Sequence, residues 1–548
     1  MSSIGMGAQM QVDVITEIDE LEKLHADWDR LYEVDPEAQL FVSWNWLVPY
    51  MRHYKGTWFV LAARPGTPDA PYVAILPLRM RTRMNKTGLF FNEINMAGNN
   101  AADYTGAICA PEHAEKALQA FGRHVAQMGW SRLNLENLRM SRERIFAFIG
   151  QFSRDIFALS EFSRVNSADN VDNCRCFAAT LPESFDTYLD DVLGTNTRQR
   201  LRRFLRKVAS GELRIARADA STYERDIETL LEMWRIKWGA RKGDRLEAIM
   251  STNRRVLRDS FKAGTLFLPT LWQGERPLGA LAVFVDPVKK SLLFFMAGRD
   301  EEARSIPVGL ILHGHCIKLA IENGFATYDF LRGDEPYKFA FGVTESRVNC
   351  AAIYTKNGSN VGDRLDPRSL DTVFLEVTKI HQAGQLARAE NGYRQILASD
   401  PLHARALYGI GQLLAAKGDH REALEHLVTL VAIDPASFKV WHRLGCELQA
   451  LSRHDGAINA FRQAQALAAD FAPTRFALAK SLAALERVDE AIEILTGLIG
   501  ERLQVRSVGN LRQKAEAMLQ SLRQRGQPSY IMMNPQLNPA FRRVQAAF

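Results

Sequence analysis

Seven residues between 328 and 338 are of types that move protons and hold charge. Asp329, Asp334 and Glu335 are candidate bases, Tyr328 and Tyr337 candidate acids, and Arg332 and Lys338 fixed positive charges. They follow an apolar run at 291–297, a Gly298-Arg299 turn, and Ser305-Ile-Pro-Val-Gly309, which reads as the start of a helix. The first amides of a helix have no partner within it and carry partial positive charge, so a phosphate placed there is bound by backbone alone. Ser305 fits an N-cap, Pro307 a first turn, and Gly309 lacks the Cβ that would hold a pyrophosphate away. Ala297, Gly298, Arg299, Ser305, Pro307, Val308 and Gly309 are therefore the candidate anion cradle, with ordinary helix capping as the competing reading.

The elements that must position these groups are legible on both sides. Three strand-like runs, 265–272, 278–285 and 291–297, are joined by short turns containing Gly274, Pro277 or Pro287. The helix runs through Leu310, Ile311, Leu312, Cys316 and Leu319 to a stop at Asn323-Gly324, and a return strand covers 327–331. Alternation along that strand puts Tyr328 and Phe330 on one face and Asp329 and Leu331 on the other, so Tyr328 and Asp329 cannot both face one ligand. An earlier stretch repeats the plan, with strands at 58–63, 72–78, 89–94 and 105–109, a helix at 112–128 and a strand at 131–136.

Antiparallel strands, a phosphate-type helix start and a parallel return strand resemble the acyl-CoA half-site of the GNAT acyltransferases. The string Tyr328-Asp-Phe-Leu-Arg-Gly-Asp-Glu-Pro-Tyr-Lys338, with Phe341-Gly342, is similar to the cellulose-biosynthesis (CelD-like) branch of that superfamily, itself related to the FemAB transferases. Phe41-Val-Ser-Trp-Asn-Trp-Leu47, Ala74-Ile-Leu-Pro-Leu78, Ala102-Asp-Tyr-Thr105, the basic stretch 195–207 and Met233-Trp-Arg-Ile-Lys-Trp238 agree with it. The family usually reads Ser-Pro-Gly where this chain reads Ser305-Ile-Pro-Val-Gly309. The resemblance implies acetyl-CoA, or another acyl-CoA, as co-substrate. It also implies an amino sugar or an envelope or exopolysaccharide precursor, such as a glycolipid precursor, as acceptor.

Acyl transfer from a thioester needs a base for the amine, a donor for the oxyanion and an acid for the departing thiolate. Glu335 or Asp334 is the expected base, directly or through water, with Asp329 a further candidate. Tyr337 is the expected acid, and Lys338 a substrate or phosphate ligand; a salt-bridged loop is the rival reading. Trp234, Lys237 and Trp238 would line an acceptor groove with Arg332, unless both indoles pack in the core. The first half opens its helix with Pro111-Glu112-His113-Ala114-Glu115, which sets carboxylates where a pyrophosphate would sit. It is expected to bind no CoA and to wall the acceptor groove through Asp103 and Tyr104, a capped turn being the alternative. His313 and His315 lie two apart, about 200° around a helix axis, and cannot grip one metal. No metal is implied.

After residue 357 the composition turns to alanine- and leucine-rich helix. Ala389, Ala423, Ala457 and Ala491 are spaced by 34, and Asp400-Pro401 recurs 34 later as Asp434-Pro435. Trp441, Leu444, Gly445 and Leu448 precede Ala457 at the offsets tetratricopeptide repeats require, and Leu407, Ile410, Gly411 and Leu414 precede Ala423 likewise. Such repeats carry no catalysis; they bind a protein partner, or serve as a dimerising or stabilising appendage.

The expected fold class is a tandem GNAT-like α/β (α+β) fold followed by an all-α tetratricopeptide solenoid. Its divisions are 1–170 and 171–357 for the two halves, 358–369 for a linker, 370–500 for the repeats, and 501–548 for a capping helix at 504–523 and a tail from Pro528. With 548 residues, 47% hydrophobic, the chain has material for two to four cores. The six cysteines are scattered, no run of about 18 apolar residues exists, and residues 1–10 lack a signal peptide's charged start and apolar core. Reduced thiols and a cytoplasmic location follow as expectations. Net charge is +6, with a local excess at Arg198, Arg200, Arg202, Arg203, Arg206 and Lys207. That run reads as a solvated helix face, or as a contact for CoA phosphates, for an anionic lipid surface that would hold the protein peripherally at a membrane, or for nucleic acid. Nucleic acid ranks last because aromatics do not interleave the run in the manner of a base-stacking surface, and no zinc-finger or RNP signature accompanies it. Two rivals stand beside acyl-CoA transfer: a FemAB-like aminoacyl-tRNA-dependent transferase, and a non-catalytic scaffold for a polysaccharide synthase.

Overall fold

The computed structural model describes residues 10–166, 170–500 and 509–525. A mixed α/β unit extends to residue 370, apart from 86–89, and an all-helical unit follows from 371.

The first unit holds two large sheets built on one plan. One runs Met10–Ile15, Thr57–Pro65, Ala74–Met84, Phe90–Met96, Arg132–Leu138, Asn349–Thr355, Phe157–Glu161, with Ile108–Cys109 on Ala74–Met84. The other runs Arg214–Arg217, Pro269–Gln273, Arg276–Asp286, Ser291–Arg299, Thr327–Arg332, Arg175–Thr180, Thr344–Arg347, with Leu266–Phe267 on Arg276–Asp286. In each sheet a series of antiparallel strands leads to one parallel pair bridged by a helix. Phe90–Met96 and Arg132–Leu138 flank the helix Ala114–Ala126, and Ser291–Arg299 and Thr327–Arg332 flank the helix Val308–Glu322. The penultimate residues of the two return strands, Asn137 and Leu331, both take left-handed backbone, with φ of 62° and 59°. The same local device therefore ends both return strands.

The halves interlock. The sequence boundary at 357 places 349–355 with the second half, yet Asn349–Thr355 pairs inside the first sheet, between Arg132–Leu138 and Phe157–Glu161. Its Cys350, Ala351, Ala352 and Ile353 are all buried, which suits a central strand, whereas the polar Thr344–Arg347 stays on an edge. Residues 358–369, expected as a linker, are packed: Asn360 accepts from the Asn92 amide at 2.9 Å, and Asn92 donates to buried Ser369 at 3.0 Å. Tyr32 also donates to Asp286 across the two halves.

The second unit repeats every 34 residues. Helices begin at Leu370, Ala404, Phe438 and Ala472, and their partners at Leu386, His420, His454 and Val488. The periodic alanines 389, 423, 457 and 491 are fully buried. At Gly445 an added Cβ would lie 2.5 Å from the Phe461 ring, so the pair Phe438–Ala450 and His454–Leu467 can approach only with glycine there. A last helix, Gly509–Arg525, packs Ala515, Leu519 and Leu522 in one cluster with Leu495 and Leu498. The tail expected from Pro528 lies outside the described residues. No helix among the described residues is long and apolar enough to cross a membrane.

Candidate functional site

Parallel pairing of Ser291–Arg299 with Thr327–Arg332 stops at Leu293 opposite Asp329, although both strands continue. A register shift against Arg276–Asp286 leaves Phe295 as an extra residue just beyond that point, and such a bulge bends its strand. The strands diverge, and a cleft of about 1190 Å³ opens. Its walls are the strand residues 294–297, the helix start 307–310, the helix Tyr223–Lys242 and the loop carrying Glu335 and Tyr337.

The helix start differs in detail from the sequence expectation. Pro307, not Ser305, is the N-cap, and no side chain caps it. Ser305 is displaced because the Val308 amide closes a tight turn onto Ile306 O at 2.9 Å. The first helical bond is Ile311 to Pro307 O, so the amides of Gly309 and Leu310 have no backbone acceptor. A Cβ built on Gly309 meets nothing within 4 Å, so packing does not require glycine there; the space it leaves belongs to the cleft. Gly298 serves differently. A Cβ there would lie 2.6 Å from Leu230 O and 2.7 Å from Met233 Cβ, so it lets the helix Tyr223–Lys242 lie against the strand and does not line the cleft. Ala297, Arg299, Pro307 and Val308 do line it, with Arg299 held by Glu301 at 2.8 Å.

Of the five catalytic candidates, only Glu335 and Tyr337 reach the cleft. Lys338 is buried and donates to Arg332 O at 2.8 Å and Gly333 O at 2.9 Å, clamping the loop from behind rather than facing a ligand. Its Nζ also lies 3.0 Å from Glu335 Oε2 but off a hydrogen-bonding line, which leaves that oxygen without a donor. Packing around Tyr337, and then the Glu335 charge, hold its phenol well above the ordinary tyrosine range. Asp334 turns away, accepting from the Asp172 amide at 2.9 Å and Arg175 at 2.8 Å. Against the opposing push of burial, these partners hold its carboxyl below the usual range.

Asp329 is buried on the other face of the return strand, as alternation requires. It accepts from Tyr104 OH at 3.0 Å and from the Leu331 amide at 2.7 Å, and burial raises its pKa. Arg332 donates to Asp103 at 2.7 Å and to Asn137 at 2.9 Å. Asp103, Tyr104 and Arg332, expected at the acceptor groove, thus join the two sheets and do not line the cleft. Trp234, Lys237 and Trp238 do line it, one helical turn apart, with Lys237 Nζ 5.1 Å from the Trp238 ring centre. Burial, then Arg299, lowers the Lys237 pKa.

Two residues at the cleft had no role assigned from sequence beyond a metal test. His313 is four residues past Gly309, on the same face of the helix, and bonds Tyr328 OH through Nδ1 at 2.9 Å. Burial, then Lys338, lowers its pKa to about 3, so it is neutral at pH 7. Arg304 precedes the helix start and has no carboxylate within 4 Å among the described residues. The i+4 spacing from Gly309 was the signal for the first; no local pattern marks the second. The basic run divides: Arg198 and Arg202 pair with Asp190, and Lys207 with Glu212, while Arg200 lines the cleft with Asn196 and Thr197.

Comparison with known proteins agrees with this architecture. Residues 195–339 match the acetyltransferase (GNAT) domain family, and residues 382–438 and 442–502 match the tetratricopeptide repeat. No curated protein matches the chain. Among solved structures, FemX aligns over 63% of this chain and 98% of its own, at 12% identity and a TM-score of 0.44. MamA aligns over 28% and 87%, at 20% identity and a TM-score of 0.24. The Yersinia enterocolitica type III secretion translocator chaperone SycD aligns over 23% and 95%, at 19% identity and a TM-score of 0.22. The chain thus carries a GNAT-type acetyltransferase domain and tetratricopeptide repeats.

Proposed function

We infer that the cleft is the site of an acyl-CoA-dependent N-acyltransferase. The observation that carries this reading is the divergence of two parallel strands beside a helix start whose Gly309 and Leu310 amides have no acceptor. A diphosphate would bind those amides, with Arg304 and Arg200 adding charge at the cleft wall. The amine nitrogen attacks the thioester carbonyl, the C–N bond forms and the C–S bond breaks. Glu335 takes the nitrogen's proton, directly or through water, and Tyr337 returns one to the thiolate sulfur. Trp234, Lys237 and Trp238 would meet the acceptor, which the family resemblance makes an amino sugar or an envelope or exopolysaccharide precursor.

At the corresponding place the first half shows no such space among the described residues, in line with a single CoA site. Between Met96 and Leu138 it is filled by Met140, Ile145 and Phe148, leaving about 20 Å³, and Glu112 and Glu115 stand at its helix start. The repeats would dock a protein partner.

Thermal-shift or calorimetric titration with acetyl-CoA tests the reading. At 100 times its dissociation constant the ligand adds about 2.7 kcal/mol of stability. Gly309→Asp, which sets a carboxylate among the free amides, should abolish that gain. An unchanged shift in the variant overturns the assignment.

A further inference from the structure

A second cleft, of about 240 Å³, lies between the helices Trp44–His53 and Leu246–Lys262 and shares no lining residue with the acyl cleft. One wall is a staircase of parallel rings. Trp46 and Tyr50 stack at 6.2 Å and 9°, and Tyr50 and Tyr54 at 5.9 Å and 19°. The polar ends of these rings are only partly used. Tyr50 OH donates to Asn100 Oδ1, which leaves the Asn100 amide group as a donor. Tyr54 OH accepts from Arg79 at 3.1 Å and keeps its own proton to give. Trp46 is 5% exposed, and its buried indole N–H has no acceptor.

The charges are uneven. On the helix Leu246–Lys262, Arg254 and Arg258 are bound by Glu228 and Glu224. Arg255, on the cleft wall, has no carboxylate within 4 Å among the described residues, and neither does Lys55. The one lining carboxylate, Asp259, lies 3.7 Å from His53 Nε2, which offsets its charge only when protonated. The site therefore presents aromatic rings, donors and acceptors suited to hydroxyls, and two cations with no carboxylate within 4 Å among the described residues. Its volume falls below the roughly 300–1,000 Å³ of pockets for drug-sized ligands, which suits a single ring.

We propose that this cleft binds a pyranose carrying one anionic substituent, its C–H face on the Tyr50 and Tyr54 rings and its phosphate or carboxylate at Arg255 and Lys55. The proposal stands apart from acyl transfer, and its test needs no turnover. The full-length chain is titrated calorimetrically with glucose 6-phosphate, glucuronate, glucose and inorganic phosphate. One or both acidic sugars should bind, the better of them naming the anion, with glucose at least tenfold weaker and inorganic phosphate weaker than the sugar phosphate. Arg255 is exposed, so Arg255→Ala should keep the wild-type melting temperature and weaken binding about tenfold, equivalent to about 1.4 kcal/mol. Arg255→Lys should restore most of that affinity, and Tyr50→Ala should weaken it without changing the preference for anions. Binding of neither acidic sugar overturns the proposal. So does inorganic phosphate binding as tightly as the sugar phosphate, or an Arg255→Ala protein that binds like the wild type.

Discussion

Glu335 owes its position to Lys338. The ammonium holds two loop carbonyls and lies 3.0 Å from the buried Oε2, so the role of base falls to the other oxygen of the carboxylate. Glu335→Gln should cut kcat by about 10²–10⁴-fold, the usual worth of a positioned base, and leave the acetyl-CoA thermal shift intact. Steady-state rates beside a ligand titration separate the two effects; an unchanged rate removes Glu335 as base. Lys338→Met strips the carbonyls of both bonds and should lower the unfolding free energy by about 3 kcal/mol in urea titrations. His313 sets a pH dependence whose sign follows from burial. Its pKa falls from 6.5 to about 3 on folding, so the unfolded chain takes the proton first. The stability it contributes is complete above pH 6.5 and is lost as pH drops toward 3, at about 1.4 kcal/mol per unit. Asp329, with a raised pKa, works in the opposite sense, losing stability as pH rises through its own titration. Between pH 7 and pH 5 the wild type should therefore lose about 2 kcal/mol more than His313→Gln, because the variant keeps every other titrating group. Equal losses in the two proteins would show that His313 is protonated in the native state.

At the scale of elements, the strand Ser291–Arg299 has two faces with different demands, and its glycine serves packing alone. Gly298→Ala drives a methyl into Leu230 O and Met233 Cβ and should cost about 1–3 kcal/mol by forcing the helix Tyr223–Lys242 outward. That helix carries Trp234, Lys237 and Trp238, assigned above to the acceptor, so the acceptor KM measured on the folded variant should rise as well. The strand, the helix and the return strand were legible because their apolar periods are local. The N-cap was not: Ser305 and Pro307 both suit a cap by type, and the tight turn from Ile306 to Val308 decides between them. Asp103, Tyr104 and Arg332 were misplaced for a deeper reason. Alternation states which residues share a face of the return strand, but which face meets the other half is decided by contacts such as Arg332 with Asp103, 229 residues apart.

The whole first unit depends on a strand that no local pattern assigns to it. The acetyltransferase match ends at 339, and a reading by halves closes the second at 357, yet residues 349–355 complete the first sheet. The 34-residue period of the helical unit was readable because each repeat is stabilised by its neighbours in sequence. Sheet closure, by contrast, is a long-range choice, made here by the burial of Cys350, Ala351, Ala352 and Ile353 on a strand with partners on both sides. Without that strand, the facing edges of Arg132–Leu138 and Phe157–Glu161 lose every ladder bond to it, and the apolar cluster of Leu133, Leu135, Phe157 and Ile353 opens to water. A domain's net stability of about 5–15 kcal/mol does not survive a loss of that kind. A chain ended after residue 348 keeps all of 195–339 but should show no cooperative unfolding and no acetyl-CoA shift. A chain ended after 370 should show both, since Asn360, Asp366 and Ser369 remain to seal the sheet. Circular dichroism melts of the two fragments decide the matter: a shorter fragment that melts cooperatively at the temperature of the longer one would make the crossover dispensable, and the second half a domain in its own right.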